Sequence, residues 1–273
     1  MKHKKHKKHK NLSSFLLKAI AVIVGCIAII GIVGLVYLSV TNPTKKINQR
    51  SMCIIDEPYT DILAIIIDST DSIPARSSRQ AEEYFRQAIL ELPINSLVTL
   101  YKIDETNESH ALPVLIMCRP DDGTHANSMT SNPKLIQKMF QTQFWKPVNQ
   151  VLTSLIKQQP SKSSPIIESI QSAVIESFQA NQNTGQDRII VLSDLLQHSN
   201  LFSHYGVLPN FENYQQKTKK SGLGSLNLDN IHVELLIIPR SIPLGSRQNL
   251  IQFWADFLKG HKAKLRSLLV PLS

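Results

Sequence analysis

The run Ile62-Leu63-Ala64-Ile65-Ile66-Ile67, followed at once by Asp68-Ser69-Thr70-Asp71-Ser72, constrains this chain more than any other feature. A short β-branched run with no polar alternation reads as a strand buried on both faces, as in a parallel sheet. In an open α/β sheet, ligands bind just outside the carboxyl ends of the strands. An acid and two hydroxyls at i, i+2 and i+4 in such a loop can converge on one hard cation. Mg²⁺ suits that set, because it takes oxygen ligands and keeps several waters.

The rest of the folded part repeats the pattern. Apolar residues at helical spacing predict helices over 77–92, 134–158, 166–178 and 248–258. Pro147 is expected to kink or split the second of these. Apolar β-branched runs predict strands over 61–67, 97–103, 111–118, 188–192, 231–238 and 265–270, the third paired with the second as a hairpin through 104–110. Strands alternating with helices give an α/β fold with a doubly wound, mainly parallel sheet. A Ser before a Pro at a helix start is an N-cap signature, and Ser164-Pro165 precedes the helix at 166.

The first part of the chain is of another kind. From Ala19 to Val40 the sequence is apolar and uncharged over 22 residues. As a helix this is about 33 Å long, enough for the ~30 Å hydrocarbon layer. A cleaved signal peptide has a shorter apolar core that ends in small residues, and Tyr37-Leu38-Ser39-Val40 offers no such site. The expectation is an uncleaved signal anchor. Seven Lys precede the run, whereas Lys45, Lys46 and Arg50 follow it. That excess places the N-terminus in the cytoplasm and the C-terminal part in the periplasm or its equivalent, on a single-pass inner-membrane protein. The organisation reads as a basic tail (1–18), a transmembrane helix (19–40), a linker (41–57) and one domain (58–273).

The net charge of +9 comes mostly from the tail. Beyond residue 18 the basic and acidic residues nearly balance, so no basic stripe for nucleic acid is expected. The Lys tail suits anionic lipid headgroups, at roughly 1 kcal/mol per Lys near the surface. His3, His6 and His9 read as part of that solvated tail. Cys53 and Cys118 lie outside the cytoplasm on this topology, where a disulfide can form, but their pairing cannot be read from sequence.

Three loops carry the chemistry: Asp68/Thr70/Ser72 after a strand, Ser163-Ser164-Pro165 before a helix, and Ser193-Asp194 after Ile189-Ile190-Val191-Leu192. In that order they resemble von Willebrand factor type A domains, which carry a metal-ion-dependent adhesion site. The resemblance spans roughly residues 58–271. It implies that Asp68, Thr70, Ser72, Ser164 and Asp194 hold Mg²⁺, or Mn²⁺ or Ca²⁺, with one position open for a partner's carboxylate. Together with the membrane anchor, the expectation is protein binding within an envelope or secretion-associated complex, and no catalysis. The sequence departs from the family at Thr70 and Ser164, which keep a hydroxyl, and at Leu195, where the family usually has Gly and a side chain is expected to narrow the loop.

Other classes fit less well. On the bland reading, Asp68 and Asp194 only cap backbone N–H groups. A phosphotransferase of the haloacid dehalogenase type needs an acid where Thr70 stands. No G-x-S-x-G or phosphate-loop pattern occurs, and Gly222-Leu223-Gly224-Ser225 reads as a flexible turn. His198 and His204 lack further ligands for zinc. A metal-independent scaffold is the serious rival, with Leu201, Phe202, Tyr205, Leu208, Phe211 and Tyr214 as a partner surface or as packing under their loop.

Overall fold

The computed structural model describes residues 6–41, 45–68, 70, 72–103, 110–128, 131–157, 161–205, 210–219, 221 and 226–271. Side chains are described within these except at 6–15, 38–41, 244 and 265–271. The chain divides into two units, Met1–Lys46 and Ile47–Ser273.

The first unit is a helix, α1 (His6–Thr41). Within it, Leu16–Tyr37 is long and apolar enough to cross a membrane. Its start differs slightly from the sequence reading because Leu16 and Leu17 extend the apolar stretch across Lys18. The tail histidine His3 lies outside the described residues.

The second unit is an α/β fold on a six-stranded sheet of order β3-β2-β1-β4-β5-β6. The strands are β1 (Ile62–Asp68), β2 (Leu97–Ile103), β3 (Leu115–Cys118), β4 (Asp187–Ser193), β5 (Ile231–Ile237) and β6 (Lys264–Pro271). Among the described strands only β3, at one edge, runs antiparallel. It pairs with β2 as expected, and the connection at 104–109 lies outside the described residues.

The sheet separates two cores, which is why β1 has no polar face. Leu63, Ile65 and Ile67 join one core with Phe85 of α2 (Ala75–Leu90) and Leu152 of α4 (Lys146–Ile156). Ala64 and Ile66 join the other with Ile170 of α5 (Ile166–Ala173) and Phe253 of α7 (Leu244–Gly260). Each such Leu or Ile contributes about 1.5–3 kcal/mol on burial.

Pro147 does not break its helix. α3 (Pro133–Met139) runs through a π-helical turn, Phe140–Trp145, into α4. Proline lacks an N–H and crowds the carbonyl four residues back, and a widened turn just before it relieves both faults. Part of the segment read as a linker packs on the domain. Met52 and Cys53 are buried, and Cys53 is disulfide-bonded to Cys118.

Strand order reverses between β1 and β4, so the switch point of the sheet lies where both strands end. Asp68 is the last residue of β1, and Ser193 is the last of β4.

Candidate functional site

At that switch point three distant segments meet on one carboxylate. Asp68 Oδ1 accepts from the Thr70 backbone N–H at 3.1 Å and from the Thr70 hydroxyl at 2.5 Å. Asp68 Oδ2 accepts from the hydroxyls of Ser164 at 2.9 Å and Ser193 at 2.6 Å. Asp68, Thr70, Ser164 and Ser193 are all buried. A carboxylate this deep needs hydrogen-bond donors, and here four reach its two oxygens.

Each hydroxyl spends its one proton on Asp68, so its remaining lone pairs point elsewhere. An oxygen-only set of two carboxylates and several hydroxyls is the kind a hard divalent cation takes. On the Ser164 loop, Ser161 and Ser163 also carry buried hydroxyls without a hydrogen-bond partner among the described residues. Ser161 N donates to the Thr70 carbonyl at 2.6 Å, which ties that loop to the first one. The residues present therefore fit such an ion.

Asp194 is placed differently. Its Oδ1 accepts from Leu196 N at 2.9 Å, and its Oδ2 lies 2.7 Å from Nε of Arg240. Burial, and then the neighbouring Asp68 carboxylate, push Asp194 up to about 6. Arg240 follows β5 in the chain and brings the positive charge that this pair of acids lacks. A cation that took Asp194 would have to compete with it.

Ser72 is exposed, and lines a shallow groove with Ile73, Arg79, Thr153 and Lys157. No hydrogen bond described here ties it to Asp68. Ser69 and Asp71 lie outside the described residues.

Two expectations are corrected. Ser164 does not cap α5: the helix starts after Pro165 with no side-chain cap, and the Ser164 hydroxyl goes to Asp68. Nor does Leu195 crowd the loop. Its side chain is buried in the core with Trp254 and Phe202, while its backbone adopts φ 67°, the conformation a glycine there would supply. Leu195 N donates to Ser193 Oγ at 2.9 Å, and the Leu195 carbonyl accepts from Trp254 Nε1 at 2.9 Å. Those two bonds and the core contacts hold a residue in a region that costs roughly 1–2 kcal/mol outside glycine.

The capping reading is realised alongside the site, since Asp68 and Asp194 both accept from an N–H two residues on. Ser193 and Arg240 complete the cluster, and neither was singled out as a ligand from sequence. Ser193 had a signal, a hydroxyl at a strand end beside an acid. Arg240 had none.

His198 and His204 do not converge on a metal. His198 Nδ1 pairs with Ser203 Oγ, and His204 stacks edge-on against Phe253, where burial pulls it down to about 4. Among the described residues no group of three His, Cys, Asp or Glu side chains is placed to hold an ion. Phe202 and Tyr214 pack into the core under their loop, whereas Leu201 and Tyr205 are exposed. Leu208 and 222–225 lie outside the described residues.

No family model matches this sequence, and no curated protein matches it. Solved structures do. A von Willebrand factor type A protein from Catenulispora acidiphila is 11% identical, with a TM-score of 0.38, over 78% of this chain and 39% of that one. A manganese-loaded TRAP protein of Plasmodium vivax is 12% identical, with a TM-score of 0.36, over 71% of this chain and 62% of that one. This chain thus spans less than two thirds of each of the two solved chains. The site stands on its own residues, and in fold the second unit is α/β on a mainly parallel sheet.

Proposed function

We propose that the domain is a protein-binding module that engages its partner at the carboxyl end of the sheet, through a divalent cation such as Mg²⁺, Mn²⁺ or Ca²⁺. One observation carries this reading: Thr70, Ser164 and Ser193, far apart in sequence, all donate to the single carboxylate of Asp68. Asp68, Thr70, Ser72, Ser164 and Asp194 would hold the ion. A bound ion supplies an electrophilic centre for a partner's acid. Asp68 orients the hydroxyls, and burial keeps water from competing for them. We assign the cluster to binding, not to turnover. We place the module outside the cytoplasm on the Leu16–Tyr37 anchor, in an envelope or secretion-associated complex. The Cys53–Cys118 bond supports that side, since disulfides persist in oxidising compartments.

A metal-independent scaffold is the second reading, and the Arg240–Asp194 pair favours it. Thermal unfolding of the full chain in detergent separates the two, in EDTA and then in Mg²⁺, Mn²⁺ or Ca²⁺. An ion at about 100 times its Kd stabilises the native state by about 2.7 kcal/mol. Asp68→Asn should lose that response, and Arg240→Gln should gain response at lower ion concentrations. Asn is the right test, because Ala would leave three buried hydroxyls without their acceptor. Equal curves in EDTA and in each ion for the wild type and for Arg240→Gln would end the metal reading and leave the scaffold.

A further inference from the structure

A cavity of about 230 Å³ opens beside Asp194, between the end of β5 and the first turns of α7. Ile238, Ile242, Leu250 and Ile251 give it an apolar lining. Its charged lining residues are Asp194, Arg240 and Arg247. Asp194 and Arg240 offset one another at 2.7 Å. Arg247 is exposed, and its Nη2 donates to the Arg240 carbonyl at 3.0 Å, which ties it to the same loop. The first turn of α7 carries no acid, and a helix N-terminus is itself positive. The cavity thus joins an apolar floor to a rim with one excess positive charge.

That volume is below the roughly 300–1,000 Å³ of small-molecule sites, and suits a single bulky side chain. We infer that the cavity is a recognition pocket for a protein partner, taking an aliphatic or aromatic side chain whose neighbouring carboxylate is held by Arg247. Charge complementarity selects the acid, and the lining selects the apolar residue beside it. The inference rests on the reading of this end of the sheet as a partner-binding face, but it does not need the cation.

The test uses the full chain in detergent micelles and fluorescein-labelled peptides carrying Phe-Asp, Phe-Asn or Ala-Asp, read by anisotropy in EDTA and in Mn²⁺. The Phe-Asp peptide should bind in both media. Binding should weaken about ten-fold when Asp becomes Asn, and by a similar factor in Arg247→Gln, the ordinary weight of one charge-assisted hydrogen bond. Ile242→Trp, which fills the cavity from its rim, should abolish binding, and the Ala-Asp peptide should bind weakly at best. The inference is overturned if Phe-Asp and Phe-Asn bind alike, if both variants match the wild type, or if no peptide binds. The cation response in thermal unfolding is a separate readout, so the pocket and the metal reading can fail independently.

Discussion

The two ends of the sheet solve the same problem in opposite ways. At the amino end, the chain enters β1 beside a disulfide, Cys53–Cys118, and a dense set of backbone bonds around Asn95. Positive φ occurs there at Met52, Asp56, Asn95, Asn230 and Lys262, and Asp and Asn tolerate it best. Gly185 is needed for close approach, since a Cβ would lie 2.5 Å from the Thr60 carbonyl oxygen. At the carboxyl end there is no such covalent tie among the described residues. Two buried acids, three hydroxyls and an arginine hold the loops together, and a leucine sits in the left-handed region. One end is closed by a covalent bond and by turns spread along several loops. The other gathers two acids, three hydroxyls and an arginine around one point, and such costs tend to persist where a site is being held in shape.

The comparison predicts where the largest loss lies. The Cys53–Cys118 bond closes a loop with a sequence separation of 65. Loop-closure entropy gives such a bond about 4 kcal/mol of stability. Replacing both cysteines by Ser should lower the unfolding free energy by about that amount in urea titration. The loss should appear as a lower midpoint with the cation response intact. A loss of cation response in that variant would show that the two ends are not independent.

The strands were legible because a strand buried on both faces writes a continuous β-branched run, and Ile62–Ile67 is one. Asp68 and Asp194 were legible because an acid directly after such a run has few structural reasons to be there. What escaped was long-range or conformational. Ser164 looks like a helix cap in sequence, and only its distance to Asp68 shows that its hydroxyl is used elsewhere. Arg240 lies in an unremarkable Pro-Arg-Ser stretch, and its pairing depends on where the β5 loop turns. The strain at Leu195 left no mark, since nothing local announces a positive φ outside Gly and Asn. The Cys53–Cys118 pairing had no sequence signal beyond compartment.

A smaller effect separates the ends by pH. Asp187, at the start of β4, is pushed up to about 6 by burial and then by the Asp61 carboxylate, although Asn183 donates to it. A carboxyl raised in the folded state binds its proton more tightly there than when unfolded. The stability it contributes is full below its ordinary value near 4 and is lost as pH rises through 6. That loss amounts to at most about 2–3 kcal/mol, at 1.36 kcal/mol per unit. Asp187→Asn should therefore gain on the wild type as pH goes from 4 to 6 in a series of urea titrations. The slope should shrink without vanishing, because Asp194 is shifted in the same direction at the other end. A constant difference between the two proteins across that range would show that Asp187 is not desolvated in the fold.

The finest test of the comparison is Leu195. In most positions Gly is less stable than Ala by roughly 0.5–1 kcal/mol, because it has more backbone freedom to lose. At φ 67° that order should invert. Leu195→Ala removes the buried side chain and keeps the strained backbone, so it bears the packing loss in full. Leu195→Gly removes the same packing, at a further cost of one methyl group, but it relieves a strain of roughly 1–2 kcal/mol. Both variants should be less stable than the wild type, since burying a Leu outweighs the strain. Between them, Gly should be the more stable by about 1 kcal/mol. The same pair of substitutions at Leu63 or Leu100, in the middle of buried strands, should show the ordinary order. If Ala is the more stable at Leu195 as well, the loop at the carboxyl end relaxes when its side chain is lost. The strain would then be a consequence of core packing at that position, and not part of how the site is held.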